Sequence, residues 1–126
     1  MAQHKILVVE DHPDSLDLLQ KQLRGMGYQD LVIASTGPDA LKKAADEKPD
    51  LILLDIALPG ITGLEVARKL KGDSATRSIS ILAVTAKAMP GDREECLDSG
   101  CDAYLAKPFV PRDLKAEIEK LLSKPD

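Results

Sequence analysis

Charged side chains stand where apolar runs stop. Glu10 and Asp11 follow ILVV, Asp55 closes LILLD, Thr85 closes ILAVT, and Lys107 follows AYLA. An unpaired charge is costly to bury, so charges repeated at the tips of apolar runs imply a shared purpose. Two carboxylates about 4 Å apart repel by roughly 4 kcal/mol at an effective dielectric near 20. Three together take up a proton or recruit a cation. The donors are all oxygens and no EF-hand spacing is present, which favours Mg2+ over Ca2+. Asp11 and Asp55 are the direct ligands in this reading. Glu10 acts through water, and the backbone carbonyl of Ala57 supplies a further oxygen. The Lys107 ammonium and the Thr85 hydroxyl suit the equatorial oxygens of an incoming phosphoryl group. Asp55 is then the nucleophile that forms an aspartyl-phosphate.

These residues need a scaffold that gathers them. Residues 5–10, 31–35, 50–55, 79–85 and 103–106 read as strands. ILVV, LILL and ILAV are apolar at consecutive positions, as parallel strands covered on both faces are. Helix one spans about 14–26, with Leu16, Leu19, Leu23 and Met26 on one face. Helix two starts near Pro38, a favoured first-turn residue, and stops before Pro49. Helix three opens with the capping box Thr62-Gly63-Leu64-Glu65, flanked by an Ile61–Val66 staple. Helix four runs from Pro90 to about Ser99, stopped by Gly100. Helix five starts at Pro111 and buries Leu114, Ile118, Leu121 and Leu122. The order is (βα)5. Right-handed crossovers make it an α/β fold, a doubly wound five-stranded parallel sheet. Ligands bind such sheets outside the carboxyl ends of the strands, where Glu10, Asp11, Asp55, Thr85 and Lys107 all fall.

Composition narrows the function. The 126 residues make one domain, and no apolar run approaches a membrane span. The start, MAQHK, runs directly into a strand, so no secretory signal is expected and a cytoplasmic location is the default. The net charge of −4 and only three aromatic residues (Tyr28, Tyr104, Phe109) argue against direct nucleic-acid binding. Cys96 and Cys101 lack metal-ligand spacing and read as reduced structural thiols. Gly25-Met26-Gly27 lacks the third glycine of a dinucleotide loop and reads as a helix stop.

With these residues in place, the chain resembles the response-regulator receiver domain, the CheY-like family, over essentially its whole length. The resemblance is carried by Glu10-Asp11, Asp55 in LLDIALPGITG, Thr85-Ala86, Tyr104 and Lys107-Pro108. It implies strand order 2-1-3-4-5 and one receiver domain over 1–126, with no effector or DNA-binding domain. It implies Asp55 as phosphoacceptor, and Mg2+ held by Asp11, Asp55 and the Ala57 carbonyl with Glu10 in support. Thr85, Ala86 and Lys107 contact the phosphate, and Lys107–Pro108 is a cis peptide. Thr85 and Tyr104 form a switch that remodels the face of helix four, strand five and helix five. The implied function is a response regulator of a two-component phosphorelay. It takes its phosphoryl group from a histidine kinase or histidine phosphotransfer protein and acts on a downstream protein target. It is a signalling module rather than an enzyme, catalysing only its own phosphorylation and dephosphorylation. Helices four and five are where a weak or phosphorylation-dependent homodimer would form.

Leu18 lies off the apolar stripe of helix one beside Ser15 and Gln22, where the family docks its phosphodonors. Ala57 and Lys87 flank the path of water to the phosphoryl group and should tune its lifetime. Met1 and the ending LLSKPD favour a free-standing protein over a receiver excised from a hybrid histidine kinase. Two other classes fit poorly. An aspartyl-nucleophile phosphatase needs an acid where Ala57 stands. A flavodoxin-like electron carrier needs a Ser/Thr/Gly loop where EDHPDS stands.

Overall fold

Continuous apolar runs are explained by where alternate residues go. The computed structural model describes residues 4–58, 60–85, 91–107 and 109–123. Its elements alternate as β1 (Lys5–Val9), α1 (Pro13–Gly25), β2 (Asp30–Ala34), α2 (Gly37–Glu47), β3 (Leu51–Asp55), α3 (Gly63–Gly72), β4 (Ser80–Thr85), α4 (Asp92–Asp98), β5 (Ala103–Ala106) and α5 (Pro111–Leu122). All pairings are parallel, in the order β2-β1-β3-β4-β5. Ile6, Val8, Leu51, Leu53 and Leu82 enter one core with Leu19 and Leu23 of α1 and Leu114 and Ile118 of α5. Their neighbours Leu7, Val9, Ile52, Leu54, Ile81 and Ala83 enter the other, against α2, α3 and Cys96 of α4. Each large side chain so buried contributes about 1.5–3 kcal/mol. The chain leaves β1 toward one edge of the sheet and β3 toward the other. The crevice therefore opens between the carboxyl ends of β1 and β3.

Helix ends place the loops. Gly27 (φ 101) stops α1, its N–H donating to Arg24 O while Tyr28 N–H reaches Leu23 O. That is the stop expected of the glycine pair. Met26 is thus a cap rather than a helical residue, and Glu10 lies one residue past the β1 ladder. α4 is seven residues long, shorter than 90–99: it starts at Asp92 after its N-cap Gly91 (φ 90), and Ser99 is its C-cap before Gly100 (φ 110), the expected stop. The expected start at Pro90 lies outside the described residues. The α4 stop brings Cys101 N–H to Cys96 O at 3.1 Å. Both cysteines are buried and neither forms a disulfide, and burial pushes the Cys101 thiol up to about 12, the environment of an inert thiol. Thr62 Oγ1 accepts from Glu65 N–H, capping α3 as its sequence predicts. Among the described residues no helix is long and apolar enough to cross a membrane.

One polar clamp ties α3 to the β4–β5 side of the sheet. Lys71 Nζ donates to Arg77 O, Ile79 O and Asp102 Oδ2. The same Asp102 oxygen accepts from Ile81 N–H at 2.8 Å. Removing the ammonium strands a half-buried carboxylate and two carbonyls. Lys71→Met is expected to lower stability by about 2 kcal/mol, read as a lower urea midpoint. An unchanged midpoint would contradict the clamp.

Candidate functional site at the carboxyl ends of the strands

Glu10 follows the last β1 residue and is held by its own N–H, which donates to Ala34 O at 3.0 Å. It is only 2% exposed, whereas Asp11 beside it is open to solvent. Asp55 is the last residue of β3 and 7% exposed. Its Oδ1 accepts from Ala57 N–H at 3.0 Å, which fixes the carboxyl over the start of the next loop. One carboxylate oxygen from each of Glu10, Asp11 and Asp55 lies within 4.8 Å of the others. Thr85 ends β4 and is buried, and its carbonyl accepts from Lys107 N–H at 2.7 Å. Tyr104 is half-buried on β5, opposite Ala83 in register. The carboxyl ends of four strands, far apart in sequence, therefore meet at one end of the sheet. Ala86, Lys87 and Pro108 lie outside the described residues, and with them the Ala86 contact, the Lys87 effect and the cis Lys107–Pro108 bond.

The structure adds a pairing that the sequence did not suggest. Lys107 Nζ lies 2.7 Å from Glu10 Oε1. Glu10 Oε2 accepts from His12 N–H at 3.2 Å. Burial opposes ionising Glu10, but its hydrogen bonds with Asp55, Lys107 and His12 prevail and hold its pKa below the usual value. Asp55 moves the other way. Burial, then the hydrogen bond and charge of Glu10, push it up to about 6, with Ala57 N–H and Lys107 only partly offsetting. Of the two neighbouring carboxyls, Asp55 is therefore the harder to ionise. Three oxygen donors with excess negative charge are the donor set of a hard divalent cation, so the residues fit Mg2+.

Gly63 is a further site residue. A Cβ there would meet Asp55 O and Ile56 Cα at 2.6 Å each. Its N–H also donates to Ile56 O. Only a residue without a side chain lets α3 start against the end of β3. In the sequence Gly63 reads merely as part of the helix cap, because the approach is made by distant backbone.

Beside the carboxylates a groove of about 200 Å3 is lined by Ser15, Leu18, Leu19, Gln22, Lys107 and Phe109. It brings the three candidate docking residues next to Lys107. Leu18 is 57% exposed. A larger groove of about 920 Å3 lies at the opposite ends of the strands, near Asp50, Arg77 and Asp102. It is far from the carboxylates, so chemistry rather than volume locates the site.

The raised pKa of Asp55 has a sign that can be tested. Below about pH 4 the carboxyl is protonated in both folded and unfolded chains. As pH rises from about 4 to 6 the unfolded chain loses this proton first, so stability falls, and the full loss is present above about 6. Asp55→Asn is expected to stabilise the cation-free protein by about 2 kcal/mol at neutral pH. The gain should vanish near pH 4, as followed by thermal unfolding in chelator. A gain of equal size at both pH values would contradict this assignment.

The comparisons agree with this geometry. The family model for the response regulator receiver domain matches residues 6–119. The alkaline phosphatase synthesis transcriptional regulatory protein PhoP of Bacillus subtilis is 44% identical over 118 residues, 94% of this chain. The chain spans 48% of that regulator. The polar-differentiation response regulator DivK of Brucella anthropi is 43% identical over 108 residues, 85% of this chain and 87% of DivK. Among solved structures, the receiver domain of sensor histidine kinase PA1611 from Pseudomonas aeruginosa superposes with a TM-score of 0.89 at 34% identity. The match covers 98% of this chain and 100% of that one, and that receiver has a magnesium ion coordinated in its active site cleft. Sheet order, the buried carboxylate ending β3 and the comparisons converge: the chain belongs to the response regulator receiver domain family of two-component signalling.

Proposed function

We propose that this receiver is a phosphorylation switch in which Asp55 accepts a phosphoryl group from a phosphohistidine on a histidine kinase or histidine phosphotransfer protein. The observation that carries the reading is the convergence of Glu10, Asp11 and Asp55 within 4.8 Å, with Lys107 as the cation beside them. An Asp55 oxygen attacks phosphorus, the P–N bond breaks, and the imidazole leaves with the electron pair. Lys107 and the Thr85 hydroxyl take up charge on the equatorial oxygens. Ala57 N–H orients the attacking carboxyl. Glu10, Asp11, Asp55 and the Ala57 carbonyl would hold Mg2+, whose charge offsets that of the phosphoryl oxygens. The magnesium-bearing PA1611 receiver supports this choice of ion.

The new dianion on Asp55 draws Thr85 toward it, and Tyr104 follows. The face of α4, β5 and α5 then changes for a downstream protein target. Leu97 and Val110 are exposed apolar residues on this side, where a phosphorylation-dependent homodimer would also form. A free-standing regulator is the preferred form, supported by the match to nearly all of DivK.

Acetyl phosphate with Mg2+ is expected to give a single phosphoryl adduct by intact mass, lost on adding chelator and absent from Asp55→Asn. Lys107→Met should slow adduct formation by about 10²-fold. An adduct that survives Asp55→Asn would refute the acceptor assignment.

Docking is separable from chemistry. Leu18→Asp should slow phosphotransfer from the cognate donor at least about tenfold, as loss of a central apolar contact does. The acetyl phosphate rate should not change. Equal rates from both donors, relative to the unaltered protein, would remove Leu18, Ser15 and Gln22 from the docking surface.

A further inference from the structure

β2 is an outer strand of the sheet and pairs only with β1. Successive residues of a strand turn their backbone groups to opposite sides. Ala34 O accepts from Glu10 N–H, so Ala34 faces β1, and Val32 and Asp30 face it too. Leu31 and Ile33 therefore turn their N–H and C=O groups outward. Among the described residues neither N–H donates to a loop or a side chain. The side chains of Leu31, Val32 and Ile33 are only half-buried, Leu31 and Ile33 against one core and Val32 against the other. An apolar edge with open backbone groups is a template for another strand.

One group closes this edge. Lys43 of α2 lays its ammonium on it, Nζ donating to Ile33 O. Asp39, one turn earlier on the helix, holds the same ammonium at 3.1 Å. The lysine takes an outward acceptor and leaves a charge where a second strand would lie.

The edge is also complementary to itself. Two copies related by a two-fold axis at Val32 would run antiparallel, with Leu31 of each facing Ile33 of the other. Both residues point outward, so each facing pair would exchange both of its bonds. Asp30 would face Ala34 of the other copy, and like charges would not meet. In-register parallel pairing would instead set Asp30 beside Asp30.

We propose that the outer edge of β2 is a pairing surface for a second copy of this chain, and that Lys43 keeps it shut. The inference is independent of the phosphoacceptor reading and uses none of its residues. Losing the ammonium frees Ile33 O and removes the charge together. The two-fold contact closes on itself, so the product is a dimer rather than a fibre.

Sedimentation equilibrium of the unphosphorylated chain tests this, with amide hydrogen exchange followed residue by residue by NMR. Lys43→Met keeps a long side chain and removes donor and charge. It should strengthen self-association at least about tenfold, the worth of one charge-assisted hydrogen bond. Protection of the Leu31 and Ile33 amides should then rise with protein concentration, while Val32 and Ala34, already bonded to β1, change little. The unaltered protein and Lys43→Arg should show no such rise. Lys43→Ala is the second variant. It adds no apolar side chain at the edge and should behave as Lys43→Met does. If both variants associate no more strongly than the unaltered chain, the guard is overturned. Association that leaves Leu31 and Ile33 unprotected, as through α4 and α5, overturns the pairing surface.

Discussion

Glu10 lies almost wholly out of water between two groups of opposite kind. On one side is Asp55, whose pKa it helps to raise. On the other is Lys107, whose ammonium it holds at 2.7 Å. Burying one carboxylate against another is unfavourable unless a proton, an ammonium or a metal offsets it. The fold supplies the ammonium from the far side of the sheet. It leaves Asp11 open to solvent and Asp55 raised to about 6. Excess negative charge on three oxygen donors is the setting that suits a divalent cation. The parallel sheet is what permits it. A sheet buried on both faces has only its ends free, and the strand order puts the acidic ends of β1 and β3 side by side.

Much of this was legible in the sequence. Unbroken apolar runs announced strands covered on both faces, and the two cores divide those runs residue by residue as the pleat requires. Asp55, Glu10 and Lys107 could be found because charge at the tip of a buried strand is costly unless it meets a partner or a ligand. Caps were readable because their chemistry is local: Thr62 sits three residues from Glu65, and Gly27 and Gly100 are the residues that tolerate positive φ.

Other features were not legible because they arise from tertiary approach. The Glu10–Lys107 pair joins residues 97 apart in sequence, and nothing near either one signals the other. Gly63 looks like an ordinary helix-start residue until the backbone of Asp55 and Ile56 is brought against it. The Lys71–Asp102 clamp similarly depends on where the loop before β4 turns. The limits of α4 are blurred in the sequence because its pattern is mostly polar. With Cys96 as its buried anchor in the core, it has little periodicity to define its length. The weak anchoring that blurs the pattern also suits the switching role proposed for this face.

The central claim is that burial beside Glu10 raises Asp55 to about 6, so that near this pH a divalent cation binding there displaces a proton. Mg2+ titration near pH 6, repeated in two buffers of different ionisation enthalpy, measures that proton directly. The account predicts release of about half a proton per ion, set by an Asp55 pKa of about 6, falling toward zero near pH 8 and absent in Asp55→Asn. Binding with no proton release near pH 6, or with the same release in Asp55→Asn, would contradict it.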